Sequence, residues 1–175
     1  MRHLRLAAAA ALSAALFATP ALAAEARMYR DEARGFTTMI PEGWTDPAGS
    51  ATTFSPDGAV SCTISVLPNP RTLGKDQADI NASLSVYTNE VWKTQFFTGG
   101  ATGQIDTSGI TKLEQFDAPW ARGTITYPGR ALAKFGVLMI HSPGKVASVT
   151  CTGEPPSYDK HVAGIGWVLN YLRPL

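Results

Sequence analysis

Cysteine is scarce in this chain: there are only two, Cys62 and Cys151, in 175 residues. Neither belongs to a C-x-x-C pair, so a thioredoxin-type redox motif and a cysteine-rich zinc site are both excluded. Histidine is nearly as rare. Beyond the N-terminal segment only His141 and His161 remain, and neither sits in H-E-x-x-H or another ligand spacing, whereas zinc needs three or four ligands. No G-x-S-x-G elbow marks a nucleophilic serine. Ser142 follows His141 directly, and neighbours on a strand point to opposite faces, so the two do not make a triad. The glycine cluster Gly99-Gly100-Ala101-Thr102-Gly103 lacks the lysine and helix of a phosphate loop and reads as a connection. No run of acids has EF-hand spacing, and Asp31-Glu32 lies in polar, exposed-looking sequence unsuited to general acid–base work.

Charge of one sign is also missing. The chain carries 15 Lys and Arg against 14 Asp and Glu, with no basic stripe for nucleic acid and no polybasic run for anionic lipid. Past the N-terminus no apolar stretch approaches the ~20 residues of a membrane span. The longest, Phe135 to Ile140, reads as a buried strand. The chain is therefore expected to need no cofactor, to hold no metal and to have no catalytic residues.

What is present begins at the N-terminus. Residues 1–23 read as a secretory signal peptide: Arg2 and Arg5 form a positive n-region, Leu6 to Phe17 an apolar core, and Ala21-Leu22-Ala23 an A-x-A cleavage site. Pro20 and the small residues around it favour cleavage over retention as an anchor. No cysteine at the junction permits lipoprotein processing. The expected compartment is the bacterial periplasm. Losing Arg2 and Arg5 takes the net charge from +1 to −1. Residues 24–175 are expected to form a single α+β domain, long enough to bury a real core.

Residues 24–33 read as a polar lead-in. A strand follows over Gly35–Ile40, then short strands over Ala51–Phe54 and Val60–Val66, with Ser55-Pro56-Asp57-Gly58 as a turn between them. The period then changes. Ile80, Leu84, Tyr87 and Val91 fall at helical spacing, which predicts one helix over Asp76–Phe97 with Asp76 as its N-cap. Later strands are expected near Ile105–Gln115, Trp120–Tyr127, Ala131–His141 and Val146–Cys151, turned at Pro128-Gly129 and Pro143-Gly144. A last helix, capped by Ser157, runs to about Leu172 with Tyr158, Val162, Ile165, Leu169 and Leu172 as its apolar stripe. Gly164 and Gly166 weaken that helix but allow close packing. Short turns between strands imply antiparallel pairing. The expected fold is α+β: an antiparallel sheet packed with two amphipathic helices.

Strand alternation puts Cys62 with Val60, Ile64 and Val66, and Cys151 with Ala147 and Val149, both on inward faces. In an oxidising compartment a Cys62–Cys151 disulfide is the expected outcome; two buried free thiols and a redox pair are the alternatives. Four tryptophans, Trp44, Trp92, Trp120 and Trp167, are spread along the chain, chiefly as core. Trp92 and Trp167 lie off their helical stripes, which makes them the candidate residues for a ligand groove or a partner surface.

The segment Phe36-Thr37-Thr38-Met39-Ile40-Pro41-Glu42-Gly43-Trp44 resembles the opening strand and P-x-G-W corner of the PsbP-like superfamily. That group includes the PsbP extrinsic subunit of photosystem II and DcrB-like bacterial envelope proteins. The ending from Tyr158 to Leu172, followed by Arg173-Pro174, resembles its C-terminal helix. The resemblance implies an α/β/α sandwich and a non-enzymatic accessory or binding role, and carries no catalytic residues over. The chain departs from the group in lacking a lipoprotein cysteine and in having a cysteine pair. The expected function is a periplasmic, non-catalytic accessory protein that binds a periplasmic protein or envelope component. A carrier of a small apolar or amphiphilic ligand and a hydrolase without a recognisable motif are the alternatives.

Overall fold

The computed structural model describes residues 25–175. The signal-peptide assignment to residues 1–23 lies outside them. The described chain opens with a hairpin, β1 (Ala26–Asp31) and β2 (Phe36–Pro41), paired in antiparallel register from Ala26 opposite Pro41 to Asp31 opposite Phe36. The expected polar lead-in is thus a strand. Its buried end is Asp31, whose carboxylate accepts from the Arg34 backbone N–H and guanidinium at 2.9 and 2.7 Å. In β2 the side chains of Phe36, Thr38 and Ile40 are buried while Thr37 and Met39 are half-exposed, the period-2 pattern of a strand with one face on the core.

Six more strands make the main sheet: β3 (Thr53–Phe54), β4 (Val60–Pro68), β5 (Thr102–Leu113), β6 (Phe116–Thr126), β7 (Ala133–Ser142) and β8 (Lys145–Gly153). Their order is β3-β4-β8-β7-β6-β5, with every neighbouring pair antiparallel. The hairpin turns fall at Pro128-Gly129 and Pro143-Gly144, as the proline–glycine pairs predict. In β7 the residues from Phe135 to Leu138 are all buried, because this strand is covered on both faces. Outermost is β5, which has β6 as its single strand neighbour. Its pairing slips between Ile105 and Thr107, so Asp106 forms a bulge.

Two cores lie on opposite faces of this sheet. On one face Trp92, Phe135, Val137, Ile125 and Ile105 cluster beneath a helical layer. That layer is α1 (Gln77–Ala82), a 3-10 turn over Ser83–Val86, and α2 (Asn89–Phe96). The single helix expected over Asp76–Phe97 is therefore two. Asp76 does cap the first, accepting from Asp79 N–H at 2.8 Å. The break follows from residues that divert backbone groups. Ser83 Oγ donates back to the Ile80 carbonyl at 2.7 Å, and Thr88 takes an N-cap role by accepting from Val91 N–H at 3.4 Å.

On the other face the core is built from Val60, Cys62, Ile64, Leu138, Ile140, Val149 and Cys151, with Phe36, Ile40 and Trp44 from the first hairpin. It is closed by α3 (Pro155–Lys160), α4 (Val162–Asn170) and a short final strand, β9 (Arg173–Pro174), which pairs with β2 to give a second, three-stranded sheet. The last helix is also split. It starts at Pro155 after Glu154, not at Ser157, and breaks at His161, whose ring bonds Asp57 Oδ2 at 3.0 Å in the turn before β4. The stripe shifts accordingly. Ile165, Val168 and Leu172 are buried, and Val162 is 54% exposed.

Two local contacts fix α4. A Cβ at Gly164 would stand 2.9 Å from Trp44 and 3.2 Å from Pro41, so only glycine lets the helix seat on the corner after β2. Thr38 Oγ1 donates to the Val168 carbonyl at 3.0 Å, satisfying an acceptor that the helix end leaves without an intrahelical donor. Helices therefore cover both faces of the main sheet, giving the α/β/α arrangement. Cys62 and Cys151 face each other in register on β4 and β8, both fully buried, and are joined by a disulfide with S–S 2.00 Å.

Candidate functional site

α4 packs chiefly on β2, so it covers the centre of the main sheet and leaves the face of β5 and β6 bare. The result is an open groove of about 620 Å³ between that face and α3–α4. This is within the usual range for small-molecule sites, roughly 300–1,000 Å³. Its sheet side presents Thr107, Thr111, Trp120, Arg122, Gly136 and Leu138; its helical side presents Tyr158, Val162, Ile165, Gly166 and Leu169. Gly166 contributes by omission, since a Cβ there would meet nothing nearer than Asn170 Nδ2 at 3.9 Å.

Strand alternation explains the polar groups. Trp120 and Arg122 are two apart on β6 and share a face, with the Arg122 guanidinium carbon 5.5 Å from the Trp120 ring centre. The register partner of Arg122 is Gly136. A Cβ on Gly136 would stand 2.6 Å from the Tyr158 hydroxyl oxygen, so the missing side chain is what admits the phenol. Burial pushes the Tyr158 hydroxyl up to about 12, further from titration than an ordinary phenol that is already protonated at neutral pH. At the mouth Lys134 Nζ and Asp159 form an ion pair at 2.7 Å.

A second polar cluster lies under α1 and α2, away from the groove. His141 is 9% exposed rather than at the surface. Asn69 Nδ2 lies 3.3 Å from its Nδ1 and Tyr87 Oη 3.0 Å from its Nε2. Asn69 Oδ1 accepts from Arg71 N–H, so the amide nitrogen faces the imidazole as a donor. Nδ1 is then an acceptor, and the proton sits on Nε2, directed at Tyr87. Burial lowers the His141 pKa, and the same burial raises that of Tyr87. These groups are engaged with one another and hold α1 and α2 to β7. Among the described residues no three of His, Cys, Asp or Glu gather as a metal site.

The two tryptophans singled out by sequence lie elsewhere. Trp92 is fully buried beside Tyr87 and Phe96 and is a core residue, not a groove residue. The break at Thr88 rotates α2 so that Trp92, not Val91, faces the sheet. Trp167 is half-buried on α4, its ring tilted against Tyr171 at 4.9 Å between centres, and does not line the groove. Nor are the two brought together: they sit on opposite sides of the main sheet. The groove's own residues, Trp120, Arg122 and Tyr158, escaped the sequence reading. One available signal was Gly136 within the apolar run Phe135–Ile140, since an interior strand glycine often marks a close approach.

Solved structures with the same architecture are known. The solution structure of cyanobacterial PsbP (CyanoP) from Synechocystis sp. PCC 6803 aligns over 87% of this chain and 94% of its own, with TM-score 0.56 and 11% identity. The fold is PsbP-like. A second structure with this PsbP-like arrangement is LpqN of Mycobacterium tuberculosis, described as involved in cell envelope biogenesis. It covers 85% of this chain and 89% of its own, with TM-score 0.53 and 12% identity. No family model matches the chain, and no curated protein does. At these identities the PsbP-like likeness establishes the fold, which agrees with the resemblance of the Phe36–Trp44 segment.

Proposed function

We propose that this is an exported, non-catalytic binding protein that holds a small apolar or amphiphilic molecule in the groove between α4 and the β5–β6 face. The groove carries this reading: an open cleft of about 620 Å³ whose walls include Trp120, Leu138, Ile165 and Leu169. A closed core would have favoured a partner-binding accessory role instead. Export is supported by the N-terminal segment and fits the buried Cys62–Cys151 disulfide, because such bonds persist in oxidising compartments. No described helix is long and apolar enough to cross a membrane. Native mass spectrometry of gently purified protein, before and after incubation with a lipid extract, tests the proposal. A bound mass in the 1:1 complex is expected. A clean unliganded mass with no gain after incubation counts against it.

A second reading, an accessory protein docking a periplasmic protein or envelope component, rests on the Trp167–Tyr171 aromatic pair. Tyr171 is 46% exposed beside it, an arrangement more typical of an interface than of a free surface. In-cell crosslinking compared between wild type and a Trp167→Ala, Tyr171→Ala variant tests it. Reproducible partners that vanish in the variant would support this reading; identical profiles would remove it.

A further inference from the structure

Tyr158 is only 7% exposed, yet its hydroxyl has no hydrogen-bond partner among the described residues. The phenol ring is buried, but its oxygen reaches the groove and is not sealed from solvent. It borders the groove, where it can donate to water or to an acceptor that displaces that water. The second feature is Arg122. In an antiparallel pair directly opposed residues project to the same face, so Arg122 and the notch at Gly136 share one corner with the phenol. The guanidinium is stacked on Trp120 and enters no ion pair or side-chain hydrogen bond among the described residues. Trp120 in turn lies flat against β5, its ring atoms 3.3 Å from where a Cβ on Gly109 would stand. Arg122 is exposed, and its donors face the open groove with no protein partner among the described residues.

The remaining charges of the groove do not compete for that corner. Lys134 and Asp159 satisfy one another at 2.7 Å. Asp106, at the bulge, accepts from Gln104 Nε2 at 2.5 Å and makes no ion pair with Arg122. An unpaired guanidinium beside a protonated phenol is a donor set for an anion. A bare inorganic anion would leave the apolar walls at Leu138, Val162 and Leu169 without a role, and Val162 is 54% exposed at the edge of the groove.

We infer that the groove binds an anionic amphiphile, its carboxylate or phosphate held between the Arg122 guanidinium and the Tyr158 hydroxyl and its apolar chain lying along Trp120, Leu138 and Leu169. The inference rests on the groove being the binding site and adds the chemical class of what binds. Arg122 is the specificity-determining residue: it selects the sign of the headgroup, while Tyr158 orients it.

Isothermal titration of purified protein with four probes tests this, each below its micelle concentration: dodecanoate, dodecyl phosphate, dodecyltrimethylammonium and inorganic phosphate. The two anionic amphiphiles are expected to bind at one per chain. Arg122→Gln should weaken both about tenfold or more, and Tyr158→Phe about threefold or more, with unchanged circular dichroism in each variant. If the cationic amphiphile binds as tightly as the anionic ones, or R122Q changes nothing, the groove stands as a binding site and the anion assignment falls. If inorganic phosphate matches dodecyl phosphate, the chain has no place in the site and the amphiphile assignment falls. If no dodecyl probe binds, the groove reading itself is lost along with this inference.

Discussion

Removing the Cys62–Cys151 bridge is the most informative perturbation of this fold. The two residues are 89 positions apart, and the loop between them spans the helical layer and three whole strands, β5, β6 and β7. In the chain-entropy account, releasing a loop of about this length gives the unfolded state some 4–5 kcal/mol of freedom at 25 °C. Both cysteines sit fully buried in register at the centre of the second core, so replacement by alanine removes only the sulfur atoms and leaves pairing of β4 with β8 intact. The double variant Cys62→Ala, Cys151→Ala should therefore fold, but lose about 3–5 kcal/mol, a large share of the 5–15 kcal/mol typical of a domain. Guanidinium unfolding followed by circular dichroism measures this. The midpoint should fall, and the m-value should rise because the open chain exposes more surface when unfolded. Wild type treated with reductant in the unfolded state should show the same lowered midpoint on refolding. A loss below about 1 kcal/mol at unchanged m would refute the account, since the bridge would then not be restraining the unfolded chain.

Three further outcomes follow from contacts described above. Gly136→Ala should cost roughly 1–3 kcal/mol in thermal or denaturant unfolding, because the added methyl meets the Tyr158 oxygen at 2.6 Å; combining it with Tyr158→Phe should recover part of the loss. Thr38→Val should cost about 1–2 kcal/mol in the same unfolding measurement, leaving the Val168 carbonyl unpaired in a buried place. His141 is held neutral in the fold by burial, so its folded pKa lies below the unfolded value near 6.5. The fold thus loses stability as pH falls from about 6.5 toward the folded pKa, by up to ~1.4 kcal/mol per pH unit, and has that stability in full above. A His141→Gln variant should flatten this part of the melting-temperature profile; an unchanged slope between pH 7 and pH 5 would show that another group is responsible.

Much of the sheet was legible because its signals are local. Val60, Cys62 and Ile64 alternate with Ser61 and Thr63, and proline–glycine pairs punctuate the later hairpins. β1 was not legible because a single large apolar side chain, Tyr29, packs on the core from it: Arg27, Met28 and Arg30 are exposed, and the rest of the strand is held by its backbone pairing with β2. In the helices the periodicity was right within each piece and wrong across the breaks. Ile80 and Leu84 are buried as spaced, but a new helix beginning after Thr88 changes the phase and brings Trp92 into the core. His161 does the same to Val162 and Val168. The candidate site was the least legible part. Its members come from β5, β6, β7, α3 and α4, and what unites them is where α4 stops covering the sheet, a consequence of its seat on Trp44 and Pro41.

The bulge at Asp106 has a bearing on the open rim of the main sheet. β5 is the longest strand and stands at the rim of the main sheet, where a regular strand would offer a continuous row of amide and carbonyl groups to any passing chain. One extra residue interrupts the regular pairing of β5 and places a carboxylate there, and bulges of this kind raise the local twist of an edge strand, which discourages edge-to-edge pairing. The interruption falls in the stretch that also borders the groove. A single irregularity therefore sits where the uncovered flank of the sheet meets the groove, and makes that flank a poorer template for strand addition.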